Sequence, residues 1–284
     1  MNTIGIGLLG AGTVGGTLIH RLVEEHAAIA AKTGLDLQVR RVAVRDPGKQ
    51  RAFSIHNGVI TTDALGVIDS PDVDLVVEVM GGRDPAGDLV LRALQAGKPV
   101  VTANKELIAA RGSELIAAAE QSGVALLFEA AVGGGIPIIR PLSETLAGER
   151  ITRVMGIVNG TTNFILTRMS EEGTAYAEAL QQAQDLGFAE PDPTADVTGA
   201  DAAAKAAILA SLAFGTWVGL DHVPHAGITE VTAADIPYAA DLGYIIKLLA
   251  LAEDTEAGVS ARVHPVLLPS DHPLAAIRGA TNAI

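Results

Sequence analysis

The 284-residue sequence contains no cysteine, which excludes a disulfide framework, a thiolate metal site and any mechanism built on a covalent thiol. Basic residues are scarce. Twenty Lys and Arg against 33 Asp and Glu give a formal net charge of −13, and a phosphate backbone needs clustered cations, so no nucleic-acid partner is expected. No apolar run approaches the roughly 20 residues that cross a bilayer, and the N-terminus has neither a basic leader nor a small-residue cleavage site. No membrane partner is therefore expected, and the cytoplasm is the expected location. Internal repeats and low-complexity tracts are also missing. What the chain has in quantity is apolar: 49% hydrophobic against 19% charged residues can bury the core of one large or two medium domains.

Short β-branched apolar runs at residues 3–9, 37–44, 73–79, 99–102 and 124–128 alternate with helical patterns at 13–33, 85–96 and 105–122. Gly34, Gly97 and Gly123 stand just beyond the helical patterns, where a left-handed residue ends a helix. That alternation predicts an α/β fold with a Rossmann-type, doubly wound parallel sheet. After Val132 the pattern changes. A glycine triplet leads into a proline-punctuated helix over 136–146, a strand over 151–158, and helical stretches over 161–171 and 174–186. A turn-rich acidic segment (190–201), an Ala/Leu helix (200–214) and a strand (262–268) follow. The reading is two domains, residues 1–132 binding a dinucleotide and residues 133–284 forming a second, α+β domain.

The first strand runs into Gly10-Ala11-Gly12-Thr13-Val14-Gly15 and then a helix, the setting that a G-x-G-x-x-G turn requires. Gly10 permits the tight turn, Gly12 lets the backbone approach a pyrophosphate, and Gly15 lets helix pack on strand; Thr13 and Val14 supply amide donors at the helix N-terminus. An ordinary strand-to-helix turn would use glycine for its φ freedom alone. At the end of the second strand stands Val44-Arg45-Asp46-Pro47. Arg45 suits a ribose 2′-phosphate, so NADP is favoured with NAD possible, whereas Asp46 either binds the ribose or starts a turn before Pro47.

Further along come Thr102-Ala103-Asn104-Lys105, a glycine-rich stretch from Glu129 to Pro137, Asn159-Gly160-Thr161-Thr162-Asn163, and Gly187-Phe188-Ala189-Glu190-Pro191-Asp192-Pro193, with Asp196, Asp201 and Lys205 beyond. In this order the blocks resemble homoserine dehydrogenase, from residue 4 to about residue 280. The resemblance implies NAD(P)-dependent interconversion of L-homoserine and aspartate semialdehyde, in a homodimer whose second domain binds substrate and dimerises. It implies that Lys205 is the general acid/base, with Asp201 as its partner and a substrate ligand, and that Lys105 lies beside nicotinamide and substrate. Glu190 and Asp196, with Gly160 and Thr161 nearby, are implied substrate contacts, and Gly187 a cofactor contact. It also implies a monovalent cation, sodium, held by Glu129 and the carbonyls of Val132, Gly134 and Ile136.

Each of these features has a plainer reading. Asp201 and Lys205 are four apart, so on a helix they would make an i,i+4 surface pair of about 0.3–0.5 kcal/mol. The acids of residues 190–196 would be a solvated loop, Lys105 a solvated lysine opening a helix, and residues 129–136 a hinge. His20, His26, His56, His222, His225, His264 and His272 show no paired carboxylate and no metal spacing beyond His222-Val223-Pro224-His225, and are read as surface or packing residues. Family members continue past the position of Ile284 with a glycine-rich segment and a helix returning to the nucleotide domain, many with an ACT-type regulatory domain, so this chain is expected to be part of a longer protein. Two rivals differ in class. Aspartate-semialdehyde dehydrogenase needs a nucleophilic cysteine that the chain lacks, while a non-catalytic dinucleotide-binding or redox-sensing module would leave the lysines and acids unexplained.

Overall fold

In the computed structural model, residues 2–51 and 59–284 are described; His56 lies outside them. The chain divides into two compact units, Met1–Ala131 and Val132–Ile284.

The first unit runs β1 (Asn2–Leu9), α1 (Thr13–Glu24), α2 (His26–Thr33), β2 (Leu35–Ala43), β3 (Ile60–Thr61), α3 (Ala64–Asp69), β4 (Leu75–Glu78), α4 (Ala86–Gln95), β5 (Val100–Thr102), α5 (Lys105–Ser122) and β6 (Leu126–Leu127). All strand pairs are parallel, in the order β3-β2-β1-β4-β5-β6. The doubly wound sheet expected from the alternating pattern is present. Ile6, Leu8, Val42, Val44 and Val77 of the sheet meet Ile19 and Leu22 of α1 in one buried cluster, each such side chain contributing about 1.5–3 kcal/mol by leaving water. Gly34, Gly97 and Gly123 take left-handed φ values of 75°, 74° and 65° and stop the helices before them. Because chain order reverses between β1 and β4, a crevice opens at the C-terminal ends of those strands, where such sheets bind ligands.

The second unit contains β7 (Arg153–Gly156), α6 (Gly160–Glu172), α7 (Tyr176–Asp185), α8 (Thr194–Val197), α9 (Ala200–Phe214), α10 (Asp235–Asp241), β8 (Tyr244–Thr255) and β9 (Gly258–Pro269). Its strands form an antiparallel sheet in the order β7-β8-β9, with β8 and β9 paired from Tyr244↔Pro269 to Thr255↔Gly258. α9 packs on β8 and β9. It is buried along almost its whole length, with Asp201 and residues 202–204 and 206–211 all inside, as expected of a helix that is apolar on every face.

Two local expectations are corrected, and one strand has no counterpart in the sequence analysis. The pattern over 13–33 is two helices: α1 closes with the Glu25 N–H donating to the Arg21 carbonyl, and α2 starts at His26. A 3.6-residue apolar spacing carries through such a break unmarked. The helix expected over 136–146 narrows to a short helical stretch ending in a wide turn over Pro141–Thr145. Pro141 has no N–H to give the ladder, and Leu146 N–H donates to the Pro141 carbonyl at 2.7 Å, five residues back. Finally, β8 was not anticipated. Its Leu- and Ala-rich sequence reads equally as buried helix, and its pairing with β9 across twelve positions decides the matter.

Lys247 of β8 is only 1% exposed. Its Nζ donates to Asn163 Oδ1 at 2.8 Å and to the Ile277 carbonyl at 2.5 Å, tying α6, β8 and the segment after β9. Burial pushes its ammonium down to about 8; the nearby Arg278 guanidinium acts in the same direction and the Glu171 carboxylate against it. Between about 8 and the ordinary value of 10.5, the folded chain holds fewer protons at this site than the unfolded chain. The unfolding free energy therefore gains a contribution that rises with pH through that window. Lys247→Met is expected to lose this rise, as measured by urea denaturation at several pH values from 8 to 10.5; an unchanged pH slope would refute the assignment.

Candidate functional site

Each unit contributes its own set of polar groups. In the first, Gly10 follows β1 at φ +98°, a conformation that side chains disfavour, and a Cβ at Gly15 would lie 2.3 Å from the Gly10 carbonyl oxygen. Both glycines are required by geometry. A Cβ at Gly12 would meet nothing within 4 Å, so space is open above the turn. α1 begins behind Gly12 without any side-chain cap. The amides of Thr13, Val14 and Gly15, in its first turn, precede the reach of the intrahelical ladder, and this is the donor array an anionic pyrophosphate takes. The residues thus fit a dinucleotide.

Arg45 is exposed just past β2. Asp46 starts a turn, its Oδ1 accepting from Gly48 N–H at 2.8 Å, while the Arg51 guanidinium donates to the carbonyls of Asp46 at 2.6 Å and Lys49 at 2.8 Å. Of the basic groups here, Arg45 is the one at the strand end. Lys105 is the half-buried first residue of α5, at the C-terminal edge of β5. Asn104 caps that helix, accepting at Oδ1 from Leu107 N–H at 3.1 Å, and so fixes where Lys105 leaves the sheet.

In the second unit the sequence-identified residues gather around Asn159, which caps α6. Its Oδ1 accepts from the backbone N–H of Thr162 at 2.8 Å and from the Thr162 hydroxyl at 2.9 Å. Its Nδ2 donates to Asp196 Oδ1 at 2.7 Å and Asp201 Oδ2 at 2.9 Å. Lys205 Nζ donates to the same Asp201 oxygen at 2.6 Å and to the Val158 carbonyl at 2.7 Å. This is no surface pair. The two side chains are 7% and 15% exposed, on a helix otherwise packed into the core. Burial raises the pKa of Asp196 above the ordinary carboxylate range, the Asp201 charge adds to this, and bonds from Asn159 and Thr161 and the charge of Lys205 oppose it.

Gly160 opens α6 where a Cβ would lie 2.8 Å from the Ala280 carbonyl oxygen, so glycine lets the segment after β9 close on the helix. Thr161 Oγ1 donates to the Phe188 carbonyl at 2.6 Å, and the Phe188 ring lies 5.1 Å from that of Phe164. These contacts hold the loop bearing Gly187 and Glu190 against α6. Glu190 itself is exposed.

At the glycine-rich stretch, Gly133 and Gly134 have φ values of 77° and 64°, and Ile136 N–H donates to the Gly133 carbonyl at 3.1 Å. A Cβ on Gly134 would lie 3.8 Å from Asn282 Nδ2, and Asn282 Oδ1 is buried without a hydrogen-bond partner. An orphaned oxygen beside a turn of carbonyls fits a hard cation. Val132 is wholly buried, and Glu129 lies in the short 3-10 turn Glu129–Ala131. Among the described residues no cluster of His, Asp and Glu could hold a metal ion.

One expectation about histidine is overturned. His26 Nε2 lies 2.7 Å from Asp36 Oδ1, which the turn from α2 into β2 brings within reach across ten residues. The pair sits at the surface, so the surface reading of His26 stands. Thr102, Asn104 and Asn159 stand in the sequence blocks above without a role, and Glu78 stands in none of those blocks. The signal for Glu78 was an acid closing the apolar run Leu75-Val76-Val77.

Comparison with known proteins joins the two halves. The family model described as the homoserine dehydrogenase NAD binding domain matches residues 10–129, and the homoserine dehydrogenase model matches residues 137–284. Homoserine dehydrogenase of Corynebacterium glutamicum is 51% identical over the whole chain, which covers 64% of that protein. The crystal structure of a homoserine dehydrogenase from Thiobacillus denitrificans superposes with a TM-score of 0.93 at 46% identity, over 99% of this chain and 65% of that one. A hyperthermophilic archaeal homoserine dehydrogenase solved in complex with NADPH superposes at 0.79 and 29% identity, over 99% of this chain and 86% of that one. The chain spans 64% to 66% of the length of the first curated relatives it matches. No helix among the described residues is long and apolar enough to cross a membrane. With both family models matched in order and a relative 51% identical along the full length of this chain, the chain belongs to the homoserine dehydrogenase family.

Proposed function

We propose that the protein is an NAD(P)-dependent oxidoreductase that interconverts L-homoserine and L-aspartate 4-semialdehyde. The observation that carries this reading is Lys205, an ammonium held by Asp201 and the Val158 carbonyl on a helix with no other reason to bury charge. A lysine ammonium has three donors, and two are engaged, which leaves one for a substrate oxygen. When bound, the nicotinamide accepts or supplies the hydride. As the aldehyde is reduced, its oxygen gains negative charge and takes a proton from Lys205; as the alcohol is oxidised, Lys205 takes that proton back. Asp201 orients the ammonium. Asp196, Asp201 and Glu190 supply carboxylates for the ammonium of homoserine, with Gly160 and Thr161 forming the adjoining start of α6. Lys105, fixed by Asn104, assists by electrostatics and position.

Gly10, Ala11, Gly12, Thr13, Val14 and Gly15 cradle the pyrophosphate in this reading, with Gly187 a further cofactor contact. Arg45 favours NADP over NAD, which the engagement of Asp46 and Arg51 in their own turn supports. The reading further includes a sodium ion at Glu129, Val132, Gly134 and Ile136, and a cytoplasmic location. It also includes a homodimer formed through the second unit, where Tyr238, Leu242 and Leu267 are large apolar side chains left exposed.

Three measurements test it. Full-length protein is expected to reduce NADP with L-homoserine and to oxidise NADPH with aspartate semialdehyde; activity confined to an unrelated alcohol would end the proposal. Lys205→Ala is expected to lower kcat by about 10²–10⁴-fold with NADP affinity within a few-fold. A raised homoserine KM with kcat intact would instead make Lys205 a binding residue and Lys105 the acid/base. Arg45→Ala removes a charge-assisted contact of about 1.5–3 kcal/mol, so the NADP/NAD ratio of kcat/KM should fall roughly 10- to 150-fold; an unchanged ratio assigns cofactor choice elsewhere.

A further inference from the structure

Glu78 is the last residue of β4 and is wholly buried. Its Oε2 accepts from Thr102 Oγ1 at 2.6 Å. Its Oε1 accepts from the N–H groups of Met80 at 2.7 Å and Gly81 at 3.3 Å, and from Asn104 Nδ2 at 3.5 Å. The same Nδ2 donates to the Gly82 carbonyl at 2.7 Å, and Asn104 N–H donates to Thr102 Oγ1 at 3.0 Å. One side chain therefore joins the turn after β4 to the segment between β5 and α5.

Those two segments adjoin the dinucleotide edge. A Cβ at Gly10 would lie 2.8 Å from the Val79 carbonyl oxygen and 3.0 Å from Met80 Cα, so the turn after β4 backs the glycine-rich loop. Lys105 follows Asn104 directly. For packing alone, an aliphatic residue would end β4 as well as Glu78 and would avoid burying a carboxyl group. What an aliphatic side chain lacks is the means to hold two chain segments by their donors.

We propose that Glu78 is a positioning residue for the dinucleotide-linked reaction. It sets the Met80–Gly82 turn and Asn104 in one register, and through the Asn104 cap it sets the start of α5 that carries Lys105. The role of Lys105 in this proposal rests on the function proposed above; the effect on dinucleotide binding does not.

The test compares Glu78→Ala with Glu78→Gln in the full chain, reading the NADPH dissociation constant by fluorescence titration, kcat and KM for homoserine, and Tm. Glutamine keeps an oxygen for the Met80 and Gly81 amides and turns an N–H toward Thr102 Oγ1, which has lone pairs to accept it. Alanine is expected to weaken NADPH binding and to lower kcat, each by about tenfold or more, well below its own Tm, and glutamine to recover most of both. An alanine variant with lowered Tm but both constants within about twofold of the parent would overturn the proposal, since a purely structural loss of that size changes stability alone. If the alanine variant fails to fold, Thr102→Val, which removes the donor to Oε2 and leaves Glu78 in place, is read by the same two constants, and unchanged values again overturn it. A parent protein that binds NADPH but leaves homoserine untouched would dispose of the proposed activity, and the dissociation constants would still decide the role of Glu78.

Discussion

A polar group taken out of water must find a partner or destabilise the fold, and this requirement organises both units. Most buried polar side chains fall into two clusters: Glu78, Thr102 and Asn104 in the first unit, and Asn159, Thr161, Thr162, Asn163, Thr167, Asp201 and Lys247 in the second. The centre of each stands where regular structure ends, Glu78 closing β4 and Asn159 capping α6. A strand end or a helix start carries backbone donors and acceptors that the ladder leaves over, so a buried Glu or Asn is satisfied there at once. The price of burying Asp201 on α9 is met in this way, by Asn159 Nδ2 and Lys205 Nζ. The groups that make burial tolerable are thereby held in fixed geometry.

The helix starts show the same economy by contrast. α5 and α6 are capped by Asn104 and Asn159, whose side chains accept from the backbone N–H of the third helical residue, Leu107 and Thr162 respectively. Their first turns are thereby closed and hold neighbouring side chains in place. α1 has Gly12 at that position and no cap. Its first amides are left for an anion from outside the chain, and the space above Gly12 stays open. A capping Ser or Asp at position 12 would stabilise the helix by only about a few tenths of a kcal/mol over glycine, while placing an oxygen where a phosphate would bind. Among the helices described in the first unit α2 and α4 also start without a side-chain cap, and α1 is the one of the three that follows the glycine turn.

How much of this could be read from residues alone depends on the range of the interaction responsible. The glycine turn is local, and so the tight turn at Gly10 and the close approach at Gly15 are legible in the sequence, as are the stops at Gly34, Gly97 and Gly123. The all-parallel order of the first sheet followed from alternation. β8 was missed because Tyr244–Thr255 becomes strand only by pairing with β9, a fact of register and not of composition. The break at Glu25 was missed because apolar spacing continues through it. Asp201 and Lys205 were legible as a pair by helical spacing, but their burial was not: it depends on α9 lying against β8 and β9. Nothing in the sequence near Asn159 marks it as the hub, since its partners Asp196 and Asp201 lie 37 and 42 residues away. Glu78 and Asn104 likewise meet across 26 residues.

Each cluster has one side chain at its centre, Glu78 in the first unit and Asn159 in the second. The donors to Glu78 all come from residues 80–104, and the partners of Asn159 all from residues 162–201. These bonds fix the two central side chains by separate sets of partners. A dinucleotide edge and a lysine–carboxylate site that are built separately can each be preorganised before any ligand arrives, and preorganised charge needs little rearrangement during reaction. The consequence is energetic independence: substitutions in one cluster should add to substitutions in the other in their effect on stability, as expected of sites without shared partners.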